Sequence, residues 1–119
     1  MKRFATLLAT MALAVGAATS AFAADDGKNR RVVVENLSTT TINYLYASPV
    51  TSDDWEEDLL GDEVIASGDS RGAVIDNGTG ECNYDMKIVM SDGKEFVHRG
   101  VDVCSVSWWI IGEVGDAIH

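Results

Sequence analysis

Glu81-Cys82-Asn83-Tyr84-Asp85-Met86-Lys87-Ile88-Val89-Met90 is the stretch whose reading decides the fold. Cys82, Tyr84, Met86, Ile88 and Met90 share one parity, while Glu81, Asn83, Asp85 and Lys87 share the other. Side chains alternate across a strand, so this period of two predicts a half-buried β-strand with its apolar face on a core. Ser91-Asp92-Gly93 supplies a hairpin turn into a returning strand from Glu95 to His98. A last strand, expected over Val101 to Ile111, puts Cys104, Val106, Trp108 and Ile110 on its apolar face. That phase places Trp108 in the core and leaves Trp109 beside Ser105 and Ser107 on the other face.

Further out, the pattern repeats as short β-rich runs between Gly, Asn, Asp and Ser. Val32-Val33-Val34 makes a strand ended by Asn36-Leu37-Ser38. Thr40 to Ala47 (TTINYLYA), rich in β-branched and aromatic residues, makes another, stopped at Pro49. Glu63 to Ala66 and Arg71 to Asp76 are candidate short strands, and Asn77-Gly78-Thr79-Gly80 is a turn. The one helical candidate is a short turn from Ser52 to Leu60, with Ser52 as N-cap and Asp53 and Asp54 in the first turn. Six to seven short strands predict an all-β fold, an antiparallel β-sandwich or small barrel, with one short helical turn.

The N-terminus reads as a secretory signal peptide over residues 1–23. Lys2 and Arg3 give the positive start, Phe4 to Ala18 is uncharged and apolar, and Ala21-Phe22-Ala23 is a small-x-small cleavage site. No Cys follows that site, and Lys2-Arg3 lacks the twin-arginine context, so the general secretory route is expected, to a periplasm or the medium. A flexible segment (24–30), the sandwich (31–111) and a C-terminal tail (112–119) would follow. Removing 23 of 119 residues leaves 96, with seven basic against 19 acidic residues. Such a domain buries less than ~70% of its unfolded surface, so a covalent staple helps. Cys82 and Cys104, bound for an oxidising compartment, are expected to supply it, inside the fold, and to contribute about 3 kcal/mol.

The acidic balance, −10 over the whole chain, excludes polyanions as natural partners. Neither nucleic acid nor, after signal removal, an anionic membrane fits. Charge is concentrated in Asp53-Asp54-Trp55-Glu56-Glu57-Asp58-Leu59-Leu60-Gly61-Asp62-Glu63, where seven of eleven residues are acidic and none is basic. Three readings stand. One is a solvated acidic face, with Trp55, Leu59 and Leu60 packed on the sandwich. A second is a surface for a basic protein partner, carried by Asp53, Asp54, Glu56, Glu57 and Asp58, with Trp109 as a candidate contact anchor. The third is a Ca²⁺ site, with Asp54, Glu56 and Asp58 as weak candidate ligands. The EF-hand template fails there, because Leu59 stands where Gly is needed and Ile65 where Glu is needed.

No catalytic constellation is legible. His98 and His119 are the only imidazoles, His98 beside Arg99 reads as a surface strand residue, and no nucleophile elbow or phosphate loop occurs. The chain therefore reads as an exported binding or accessory module and not an enzyme. A periplasmic inhibitor of a basic hydrolase such as lysozyme is the alternative, since opposite charge steers encounter.

Asn36-Leu37-Ser38, Ile42, Leu45-Tyr46-x-Ser48-Pro49, Trp55-x-x-Asp58-Leu59-Leu60-Gly61, Gly68, Cys82-x-Tyr84-Asp85, Asp92-Gly93 and Cys104 together form a longer pattern. In these positions the chain resembles a family of small exported bacterial proteins. The resemblance spans most of the chain beyond the signal and implies no activity. It implies that the segment from Ser48-Pro49 to Gly61 belongs to the domain and is not a local insertion.

Overall fold

The computed structural model describes residues 26–119, so the expected signal peptide lies outside the described residues. Two compact units divide the chain. The larger comprises Lys28–Ile75 and Glu81–His119; within the smaller, Asp76–Gly80 is a turn in which Asp76 and Asn77 side chains accept from the N–H groups of Gly78 and Thr79.

The larger unit is all β. Its strands are β1 (Arg31–Asn36), β2 (Ile42–Pro49), β3 (Ser70–Val74), β4 (Asn83–Met90), β5 (Glu95–Asp102), β6 (Trp108–Ile111) and β7 (Asp116–Ile118). They form a four-stranded sheet ordered β3-β1-β6-β7 and a three-stranded sheet ordered β2-β4-β5, packed as a sandwich and not closed into a barrel. One pair departs from the antiparallel expectation: β1 and β6 run parallel, with Val33 opposite Trp108.

The deciding stretch behaves as read. Tyr84, Met86, Ile88 and Met90 are buried on the inner face of β4, against Leu45 and Ala47 of β2 and Val32 and Val34 of β1. The returning strand runs on to Asp102, past a bulge. Pairing shifts between Tyr84 and Met86, and Gly100 sits opposite at φ +66°, a conformation that suits glycine. The Asp85 carboxylate accepts from Gly100 N (3.0 Å) and Arg99 Nη1 (3.2 Å), fastening this kink. Of the two short strands expected between Glu63 and Asp76, only β3 forms; Ile65 makes a lone bridge to Ile42.

The disulfide joins Cys82 and Cys104, yet neither sulfur is deep inside. Cys82 precedes β4 and Cys104 lies in the turn after β5, and both are half-buried. The bond closes the end of the β4–β5 ladder, where Val103 N donates to Cys82 O (2.8 Å).

The single strand expected from Val101 to Ile111 is broken by that turn. The Asp102 carbonyl accepts from the N–H groups of Ser105 and Val106, and its carboxylate from Cys104 N and Ser105 Oγ. The chain then enters the other sheet as β6 with its phase reset. Trp109 is therefore fully buried and Trp108 is exposed, the reverse of the expected assignment.

Candidate functional site

The acidic segment is not helical. It lies along β2, the border strand of the three-stranded sheet, and its polar groups are drawn there instead of into a helix. Asp58 Oδ1 accepts from Leu45 N (2.9 Å) and Leu60 N (3.1 Å), and Leu59 N donates to Leu45 O (2.8 Å). Glu56 N donates to Ser48 Oγ (2.8 Å). Ser52 Oγ donates to Asp54 O (3.0 Å), a local turn where a helix cap was expected. The bonds to Leu45 use β2's outward backbone groups and cover an edge that would otherwise invite another strand.

Apolar residues complete the anchorage. Leu60 is in the core and Leu59 packs against it. Trp55 turns the other way, onto the outer face of the sheet. Its ring has Lys87 Nζ at 5.0 Å and Arg99 Cζ at 5.2 Å, and lies beside Tyr46 at 6.5 Å. Cations over an indole attract its π-face. Tyr46 also stacks with Tyr44, and Lys87 Nζ lies 5.3 Å from the Tyr46 ring. Burial pushes the Tyr46 phenol above its ordinary range, aided by the negative charge of Asp58 and by Tyr44.

The backbone is held while the charges are not. Asp53, Asp54, Glu56 and Glu57 are exposed, and among the described residues their carboxylates make no hydrogen bond or ion pair. Asp58 is the exception, half-buried and committed to β2. Glu63, at the far end, pairs with Arg71.

As for the calcium candidates, Asp54, Glu56 and Asp58 are not gathered into one set of ligand atoms. Among the described residues the one such group is Cys82, Asp102 and Cys104, whose sulfurs are bonded to each other. Trp109, the expected contact anchor, is likewise absent from the surface.

Sequence reasoning missed a second constellation. Asp116 Oδ2 accepts from Trp109 Nε1 (2.7 Å) and lies 2.6 Å from His98 Nε2, whose ring meets the Trp109 ring edge-on at 5.4 Å. A buried indole N–H requires an acceptor, and β7 brings one. His98 is thus half-buried between sheets, not a plain surface residue. The cluster joins β5 to β6 and β7 as a clasp. Local sequence carries no sign of it beyond the need of a core tryptophan for a partner.

Comparison with known protein families, curated proteins and solved structures yields no match.

Proposed function

We propose that this protein is an exported binding module whose acidic segment meets a basic protein partner. The observation that carries the reading is the contrast within that segment. Asp58, Leu59, Leu60 and Trp55 fix its course on β2, while Asp53, Asp54, Glu56 and Glu57 project with no partner of their own among the described residues. A fixed backbone keeps the carboxylates in one arrangement, so a matching set of Lys or Arg residues gains attraction without first ordering a loop. Export is supported by the signal-like residues 1–23 and by the disulfide, which persists best in an oxidising compartment.

The test is capture from periplasmic extract on the immobilised protein at about 0.05 M and about 0.5 M salt, conditions that differ several-fold in screening length. A basic protein retained at the lower salt, released at the higher and lost with the D53N/D54N/E56Q/E57Q variant is expected. Retention indifferent to those four substitutions, or no retained protein, would refute the reading.

A further inference from the structure

The two border strands on the side of the sandwich lined by the acidic segment are treated differently. β2 is covered by Asp58–Leu59 and, through reciprocal bonds between Ile42 and Ile65 (2.9 and 3.0 Å), by the segment before β3. Among the described residues β3 pairs only with β1. Bonds at the two ends of that ladder set its phase: Asn36 N donates to Asp69 O (2.9 Å), and Ile75 N donates to Arg30 O (2.8 Å). Residues of this parity, Arg71 and Ala73 included, turn their backbone groups toward β1. Ser70, Gly72 and Val74 must then turn theirs away, so among the described residues three N–H and three C=O groups line a border with no strand beyond it, and the Arg31 guanidinium of β1 lies over Gly72. Among the described residues these N–H groups donate to no other backbone segment.

Natural sheets defend such borders with lysine, proline or a bulge. Ser70-Arg71-Gly72-Ala73-Val74 has none of these, and its one charge, Arg71, is folded onto Glu63. Alongside runs a groove of about 430 Å³ between Glu63–Ile65 and Gly68–Arg71. The exposed carboxylates of Glu63 and Asp69 and the exposed Val64 stand on its walls.

We propose that β3 accepts an extended, lysine- or arginine-bearing segment of another protein as an added strand. The inference rests on the basic-partner reading above and names how that partner is held. Backbone bonds to Ser70, Gly72 and Val74 supply the pairing, and the exposed Asp69 carboxylate receives a basic side chain of the added strand. Charge selects the occupant. A second copy of the exported chain would bring its own excess of acidic residues, 19 against seven basic, to the same border, whereas a basic segment is attracted to it.

Amide hydrogen exchange by NMR tests this on the whole secreted chain, with a short end-blocked peptide alternating lysine with threonine and valine as probe. Binding is expected to slow exchange at Ser70, Gly72 and Val74 by about tenfold or more, leaving Arg71 and Ala73 as they were. Val74→Pro, which removes one outward N–H and no ladder bond, should weaken the peptide by about tenfold while the melting temperature holds. Peptide binding that perturbs only Asp53 to Glu57 would overturn the added strand yet leave the acidic surface standing. Slowed exchange at β3 that persists in D53N/D54N/E56Q/E57Q with unchanged affinity would keep the added strand and refute the acidic surface. Protection at these amides that rises with protein concentration, without peptide, would show a second copy as occupant and overturn the proposal. So would no binding at all.

Discussion

His98 and Asp116 belong to different sheets and meet at 2.6 Å, on the same carboxylate oxygen that receives the indole N–H of the buried Trp109. Asp116→Ala leaves the N–H of the buried Trp109 without its side-chain acceptor. The expected cost is about 2–3 kcal/mol, read as a fall in melting temperature of about 8–24 °C. Asp116→Asn, which keeps an acceptor oxygen, should recover a large part of the loss. Ala and Asn variants that both melt with the parent would show that the clasp carries no stability.

The Cys82–Cys104 bond closes a loop with a sequence separation of 22 residues. Its removal by Cys82→Ser with Cys104→Ser should cost about 3 kcal/mol. Because the bond lies beyond the last β4–β5 pair and not between sheets, the reduced chain should keep its sandwich at moderate temperature. Urea unfolding with and without reductant measures the difference, and collapse of the fold in reductant at 25 °C would contradict it.

Two kinds of carboxylate occupy the acidic segment, and they should separate under substitution. Asp58→Ala removes the acceptor of two backbone N–H groups and should destabilise by about 1–2 kcal/mol. The D53N/D54N/E56Q/E57Q variant touches only exposed groups and should stay within about 0.5 kcal/mol of the parent. Chemical denaturation of both variants decides this.

Tyr46 has its ionisation raised in the folded chain, by burial first and then by Asp58 and Tyr44. The folded state therefore holds its proton more tightly than the unfolded state does. The associated stability is present below the unfolded value, about pH 10, and is lost as pH rises through the folded value. Tyr46→Phe should flatten the alkaline loss of stability, and the parent-minus-variant absorbance titration should show a late-ionising phenol.

Calcium at millimolar concentration should leave the melting temperature within about 1 °C, because Asp54, Glu56 and Asp58 do not converge. A rise of several degrees would restore those residues as ligands.

What the sequence made legible was whatever depends on local alternation. Tyr84 to Met90 announced their strand and buried face because period-two patterning needs no knowledge of partners. The assignment of Trp108 and Trp109 failed at Asp102, where a side-chain-capped turn reset the phase that had been carried across it. Ser52 to Leu60 looked helical because its acidic first turn suits a cap; the neighbouring border strand offered its backbone better partners. Asp116 could not be found at all, since its role exists only once β7 has brought it beneath Trp109.

The parallel pairing of β1 with β6 has a consequence for how the chain can assemble. Val33 has no neighbour on that side until Trp108 has emerged, 75 residues later, and the sheet is finished only when Ile118 reaches Trp109. The β4–β5 hairpin, whose contacts are local, can zip as soon as it is made. A chain delivered from its N-terminus therefore keeps that side of β1 open until β6 has been delivered. Pulse-labelled refolding should protect Ile88 before Val33, because a local hairpin precedes a pairing that spans most of the domain.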